Sequence, residues 1–307
     1  MILIHGRLES AARLVRRIGA MPLAGLLAGL LAAQAVPGPA AAADAAKHIF
    51  GAMREPSLSP PEPHGSYSRG CLSGGVVLPE TGPGWQAMRL SRNRNWGHPE
   101  MIAFIERLSR SALDLGWPRL LVGDISQPRG GPMVGGHASH QIGLDVDIWL
   151  RIPQVTAMSV DEREQISSNV VVRPDRLGVN QYWHPVHHDL LRLAAKDPAV
   201  VRVFVNAAIK KALCEAEPPG DRDWLRKIRP WQGHDAHFHV RLNCPPGALD
   251  CVAQEPPPPG DGCGADLAWW FTDEALHPKP ETGTRAIDRR DLTLNDLPTA
   301  CQGPVLR

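Results

Sequence analysis

Two short segments of the chain concentrate side chains able to hold a metal ion. In His137-Ala138-Ser139-His140-Gln141-Ile142-Gly143-Leu144-Asp145-Val146-Asp147-Ile148, polar and apolar residues alternate after Gly143. A strand there puts Asp145 and Asp147 on one face and Leu144, Val146 and Ile148 on the other. His237-Phe238-His239-Val240-Arg241-Leu242 alternates in the same way, giving one face to His237, His239 and Arg241. On a helix, two histidines two apart would diverge by about 200°; on a strand they are neighbours. If the two strands pair, two imidazoles and one or two carboxylates converge. Catalytic zinc commonly takes three such N and O ligands and leaves a fourth position for water. A single histidine or a strand aspartate more often faces solvent or satisfies a core hydrogen bond. Here five of the 13 histidines (His137, His140, His234, His237 and His239) fall in or beside the two segments, which favours a metal site. Alternation alone leaves Asp145 and Asp147 as rival carboxylate ligands.

Other polar clusters are weaker. His184, His187 and His188 sit at a predicted helix start and read as an exposed polar end. Gly130 to Gly136 is glycine-rich but lacks the Lys-Ser/Thr ending of a phosphate loop, so its glycines are expected to let backbone approach a ligand closely. Arg129, beside that loop, is a candidate for positioning a substrate carboxylate or offsetting oxyanion charge. Gly-x-Ser-x-Gly is absent, and a metal-activated water needs no serine nucleophile.

The elements that must hold these groups can be traced from apolar spacing. Met101, Ile102, Ile105, Leu108, Ala112 and Leu115 recur at helical spacing after Pro99. Leu120-Leu121-Val122 suits a strand. A helix is predicted from Pro185 to about Lys196, then a strand over Val200 to Val205 and a helix toward Cys214. The pattern is α+β, with a central antiparallel sheet carrying the metal site and flanking helices. Residues 44 to 90, rich in Pro, Gly and Ser, read as an irregular arm tied down by Cys71. The chain beyond Cys244 reads as an irregular tail. We expect one domain over residues 44–307, with a catalytic core over about 86–245.

The 33 Lys and Arg residues balance 32 Asp and Glu, so no charge excess draws the chain to nucleic acid or an anionic membrane. Residues 1–43 read as a cleaved export signal. Arg7, Arg13, Arg16 and Arg17 precede an apolar stretch from Ile18 to Val36, and Ala41-Ala42-Ala43 supplies the small residues of a cleavage site. All six cysteines, Cys71, Cys214, Cys244, Cys251, Cys263 and Cys301, lie beyond it. Their even number suits three disulfides in an oxidising compartment.

Ser139-His140, Gly143 and Asp147, followed about 90 residues later by His237-x-His239, resemble the zinc peptidases grouped with lysostaphin, D-Ala-D-Ala peptidases and the hedgehog signalling domain. Three further motifs bring the chain closer still to the penicillin-insensitive murein endopeptidases: Met88-Arg89-Leu90-Ser91-Arg92-Asn93-Arg94, Ser126-Gln127-Pro128-Arg129-Gly130-Gly131 and Asp221-Arg222-Asp223-Trp224-Leu225-Arg226-Lys227. That resemblance implies Zn2+ held by His140, Asp147 and His239, with His237 as the catalytic histidine. His137 and His234 match further active-site histidines, His137 reaching the metal in some states. The family spacing favours Asp147 as ligand and leaves Asp145 to orient an imidazole. It also implies pairing of Cys71 with Cys301, Cys214 with Cys263, and Cys244 with Cys251. The expected activity is hydrolysis of D-alanyl to diamino acid cross-links of peptidoglycan in the periplasm. Two alternatives stand beside it: a D,D-carboxypeptidase or dipeptidase with the same site, and a non-catalytic cell-wall-binding module with a structural zinc. Relatives can form a homodimer with an additional zinc at the contact, for which no matching Asp/His pair is evident here.

Overall fold

The computed structural model describes residues 45–135, 137–155, 157–278 and 291–307; the expected signal segment lies outside them. In chain order the elements begin with α1 (Ala46–Ala52), β1 (Glu62–Ser66), β2 (Arg69–Ser73), β3 (Val76–Val77), β4 (Thr81–Gly82), β5 (Trp85–Ala87) and β6 (Trp96–Gly97). The middle of the chain supplies α2 (Pro99–Asp114), β7 (Leu120–Val122), β8 (Asp145–Trp149), α3 (Val160–Gln165), α4 (Pro185–Lys196), β9 (Val200–Val205) and α5 (Ala207–Ala216). β10 (Ile228–Pro230), β11 (His237–Leu242), α6 (Ala265–Trp269) and α7 (Asp273–Leu276) follow.

Seven strands form the main sheet in the order β10-β9-β11-β8-β7-β5-β4. Its centre is antiparallel, as the alternating segments predict: β11 pairs antiparallel with both β8 and β9. The flanks correct the expectation of an antiparallel sheet, because β10 runs parallel to β9 and β5 parallel to β7. Parallel neighbours need crossover connections, and helical segments supply them: α2 lies in the chain between β5 and β7, α5 between β9 and β10.

Each helix starts where local chemistry favours it. His98 caps α2 by accepting the Glu100 N–H at Nδ1, and Pro99 occupies the first turn. Asn206 caps α5 in the same manner. The buried face of α2 (Met101, Phe104, Ile105 and Leu108) joins Val146, Ile148, Phe238 and Val240 in one core. The apolar half of the strand alternation is therefore consumed by the core, and the polar half is left on the opposite face.

The N-terminal arm is more ordered than its Pro and Gly content suggests. Residues 62–73 form a hairpin, and β5 is a full member of the main sheet. In α1, Ala46 and Phe50 pack with Leu292, Leu297, Cys301 and Val305 in a second, smaller core. Glycine-poor tertiary partners such as these lie far along the chain, which is why local composition misses them. The disulfides join Cys71 to Cys301, Cys214 to Cys263, and Cys244 to Cys251, the pairs that the family resemblance implies. Among the described residues no helix is long and apolar enough to cross a membrane.

The closed loops differ greatly in length, spanning 230 residues for Cys71–Cys301 and 7 for Cys244–Cys251. In a chain-entropy account the long loop restrains the unfolded state more, by about 5 against about 2–3 kcal/mol. Replacing Cys71 and Cys301 together by Ser is expected to lower unfolding stability in urea by more than replacing Cys244 and Cys251. An equal or smaller loss would show that strain or tail packing governs instead.

Candidate metal centre

β8 and β11 meet in a register that sets Asp147 opposite His239, Asp145 opposite Arg241, and His237 opposite Trp149. Paired residues share a face, so both carboxylates, both imidazoles and the guanidinium stand on the side away from the core. His140 arrives from the loop before β8 with a left-handed backbone, φ 68°, a conformation uncommon outside glycine. It is held there by two contacts: its N–H donates to Asp145 Oδ2 at 2.9 Å and its Nδ1–H to the Ile125 carbonyl at 2.7 Å. With Nδ1 committed as donor, Nε2 carries the lone pair and faces the cluster. Gly143 lets this loop close, since at φ 70° a Cβ would lie 2.6 Å from a Leu72 methyl and 2.9 Å from the His98 nitrogen.

Three donor atoms form a tight triangle. His140 Nε2 lies 3.2 Å from His239 Nδ1 and 3.5 Å from Asp147 Oδ1, and His239 Nδ1 lies 3.3 Å from the same oxygen. Ligands bound about 2.0–2.1 Å from a tetrahedral zinc are about 3.3 Å apart. All three residues are buried, and Asp147 Oδ1 has no hydrogen-bond partner, a costly state for a carboxylate oxygen unless a cation meets it. The residues therefore fit a zinc-sized ion. A second group, His137, His140 and Asp147, also brings its donor atoms within 4.8 Å of one another. His137 Nδ1 stands 3.6 Å from Asp147 Oδ2 while its Nε2 is hydrogen-bonded to Asp124 Oδ2 at 2.9 Å. The edges of the His140, Asp147 and His239 triangle are all 3.5 Å or less, and His137 stands beside it.

Beneath the triangle, Asp145 is fully buried and accepts from Arg241 twice, Nε to Oδ1 at 2.8 Å and Nη2 to Oδ2 at 3.2 Å. Its Oδ1 is also 3.0 Å from His239 Nε2, within ion-pair reach although off the line of a good hydrogen bond. Arg241 in turn lies over the Tyr67 ring, 4.1 Å from its centroid, and the Tyr67 hydroxyl donates to the Leu242 carbonyl. Burial alone would raise both carboxyls. Arg241 and His239 instead hold Asp145 far below the usual range, and His140 and His237 do the same for Asp147. Burial likewise opposes charge on His239, yet Asp145 draws it upward. Asp124, buried but paired with His137 and Arg94, is brought down to about 2.

His237 begins β11 at the exposed edge of the cluster, its Nε2 3.6 Å from Asp147 Oδ1. His234 lies near it, the two rings tilted with centroids 4.9 Å apart, and donates Nδ1–H to the Gln232 carbonyl at 3.0 Å. Burial, then the neighbouring imidazoles, lowers His234 to about 4; burial also lowers His237, against the pull of Asp147. A cleft of about 760 Å³ opens beside the cluster, walled in part by His137, His234 and His239.

Some candidates lie elsewhere. Arg129 is absent from this cleft wall, and its guanidinium donates to the backbone carbonyls of Glu55, Val305 and Arg307; it fastens the chain end. Gly130 and Gly131 accommodate the protein itself, the Gln141 carbonyl and the Phe50 ring standing where their Cβ atoms would be. His184 caps α4, His187 is buried against the Leu150 carbonyl, and His188 reaches Glu217. Glu62, His64 and Asp250 also cluster, but His64 already engages Asp250 and Ser73 through its two ring nitrogens. Sequence reasoning overlooked Asp124, which anchors His137, Arg92 and Arg94 together. The alternating arginines of the Met88–Arg94 motif were its only trace in the chain.

Two stability measurements test this layout. Arg241→Ala strands the buried Asp145 carboxylate and is expected to cost about 3–5 kcal/mol in urea unfolding, part of it restored by adding Asp145→Asn. Carboxyls held below their unfolded values stabilise the fold above about pH 4, and that contribution disappears as pH falls toward about 2. In metal-free protein, Asp124→Asn should thus flatten the fall of the melting temperature across that window. An unchanged slope would mean Asp124 is not ion-paired as described.

The family model described as penicillin-insensitive murein endopeptidase matches residues 63–306. Relatives bearing that same name include one from Klebsiella pneumoniae subsp. pneumoniae, 45% identical over 238 residues, or 78% of this chain and 84% of the relative. One from Haemophilus influenzae is 48% identical over 220 residues, 72% of this chain and 75% of the relative. A third, from Escherichia coli, is 44% identical over 238 residues, again 78% and 84% of the two chains. With a match that spans His140, Asp147 and His239 and nearly all of the described fold, the chain belongs to the penicillin-insensitive murein endopeptidase family.

Proposed function

We propose that this chain is a zinc-dependent murein endopeptidase that hydrolyses D-alanyl to diamino acid amides in peptidoglycan cross-links. The observation that carries the reading is the triangle of His140 Nε2, Asp147 Oδ1 and His239 Nδ1, with edges of 3.2 to 3.5 Å around a buried oxygen that lacks a hydrogen bond. We assign these three residues as the metal ligands. Zinc bound there supplies Lewis acidity, polarising the scissile carbonyl and lowering the pKa of water toward about 7.

The remaining roles belong to the chain. His237 Nε2, 3.6 Å from Asp147 Oδ1, is within reach of an attacking water; a neutral imidazole there accepts its proton and can pass it to the leaving amine. Asp145 and Arg241 keep the His239 ring from turning, and the Ile125 carbonyl does so for His140. His137, tied to Asp124 and 3.6 Å from Asp147 Oδ2, borders the cluster and would serve the metal only as an additional ligand. With no serine in these roles, β-lactams that acylate serine have no target. Residues 44–307 act as one peptidase domain, exported to the periplasm by residues 1–43, where murein and an oxidising milieu for the three disulfides coincide.

Digestion of purified cross-linked muropeptide dimers tests the proposal. Dimers should become monomers, activity should vanish with a chelator and return with zinc, and terminal D-alanine should stay in place. Release of terminal D-alanine alone would make the protein a carboxypeptidase. Zinc binding without cleavage would make it a binding module. His237→Ala is expected to lose about 10²- to 10⁴-fold in kcat while metal content measured by atomic absorption is retained, whereas Asp147→Ala should lose the metal.

A further inference from the structure

The polar face of the sheet continues past the metal triangle. In one cross-strand row Asp147 (β8), His239 (β11), Phe204 (β9) and Arg229 (β10) stand in register; in the next, Asp145, Arg241 and Arg202. The face thus presents carboxylates at β8, imidazole and guanidinium at β11, a guanidinium beside the Phe204 ring at β9, and a guanidinium at β10. Arg241 is neutralised by Asp145. Arg202 and Arg229 have no carboxylate within ion-pair distance among the described residues. Arg202 spends one nitrogen on the Glu255 carbonyl, and its Nε is buried with no hydrogen-bond partner. Burial, and then the like charges of Arg229 and Arg241, work against its protonated form. Two unpaired guanidiniums side by side in a cleft wall are an arrangement that an anion relieves.

Both arginines line the same cleft of about 760 Å³ as His239 and His234. Strands lie about 4.8 Å apart, so Arg229, two strands from His239, stands about 10 Å from it at the backbone. Long side chains shorten that span to the order of one or two peptide units. Resting on the murein-endopeptidase reading above, we propose that Arg202 and Arg229 form a carboxylate-binding subsite that selects cross-links bearing a free carboxylate close to the scissile amide. A diamino dicarboxylic acid has such a group on the carbon whose amine is acylated by D-alanine; a diamino monocarboxylic acid does not. A second source of the same chemistry is the C-terminal carboxylate of a peptide strand. In either case the guanidiniums hold the charged end while the metal triangle addresses the amide.

The test compares three otherwise identical cross-linked dimers: both carboxylates free, the diamino acid carboxylate amidated, and the C-terminal carboxylate amidated. kcat and KM are measured with wild-type zinc-loaded protein, Arg229→Gln and Arg202→Gln, after circular dichroism and metal content show each variant folded and loaded. A dimer that has lost the recognised carboxylate is expected to have roughly 10- to 100-fold lower kcat/KM with wild type, mainly through KM. Arg229→Gln should collapse that preference toward one, and whichever amidation reproduces the effect identifies the source. Should Arg202→Gln fail to fold, Arg202→Lys serves, with a partial loss expected. Equal cleavage of all three dimers by wild type would overturn the subsite and leave the endopeptidase intact. A preference that persists undiminished in both arginine variants would overturn it as well. Failure of wild type to cleave any dimer would instead sink the function on which the subsite rests.

Discussion

The register between β8 and β11 governs both the core and the candidate metal site. Side chains alternate with period two, so a slip of one residue would turn Asp145 and Asp147 toward the helices and bring Val146 and Ile148 to the cleft. What prevents the slip is the core: Val146, Ile148, Phe238 and Val240 are fully buried, and exposing any of them would forfeit about 1.5–3 kcal/mol each. The polar face that carries the candidate metal site is therefore specified by residues that never touch it. Asp147 meets His239 because Val146 meets Val240.

On that frame, charge is graded across the sheet. Two carboxylates on β8 lie among imidazoles, and one of them, Asp145, is neutralised below by Arg241. A buried ion pair of this kind is weak evidence for stability by itself, since desolvation offsets much of its attraction. Its geometric value here is clearer: one guanidinium fixes Asp145, and Asp145 in turn faces the outer nitrogen of His239 and accepts the His140 backbone N–H. The His140 and His239 rings thereby each present a defined nitrogen to the cluster. Beyond β11 the sign reverses: the carboxylates stand on β8, whereas the cleft beside them is walled by imidazoles at one end and by the guanidiniums of Arg202 and Arg229 at the other.

The outer parts of the molecule serve this centre indirectly. Arg129 gathers the carbonyls of Glu55, Val305 and Arg307, the Cys71–Cys301 bridge joins β2 to the chain end, and Phe50 lies against Gly131. Together they brace the loop from Gln127 to Gln141 that delivers His137 and His140. Glycines and an arginine that read as ligand-facing on sequence grounds are, in three dimensions, the fittings of this brace.

Alternation in two short segments was enough, in the sequence alone, to set Asp145 with Asp147 on one face of one strand and His237, His239 and Arg241 on one face of another, because period two is a local property of the backbone; that the two faces join was decided by the pairing of β8 with β11. The long helices α2 and α4, with proline in their first turns and apolar spacing behind it, were legible for the same reason. Family motifs extended this to the disulfide pairs and to Asp147 over Asp145, a choice that spacing could not make. Tertiary structure decided what depends on residues distant in the chain. It alone showed the mixed direction of the outer strands and the hairpin within a Pro- and Gly-rich arm. It alone joined Asp124 to His137, turned Arg129 toward the carbonyls of the chain end, and aligned Arg229 with the row of Asp147 and His239 and Arg202 with the row of Asp145 and Arg241. Each of these rests on strand order or on side-chain reach across the fold, and neither is encoded in the local period of a sequence.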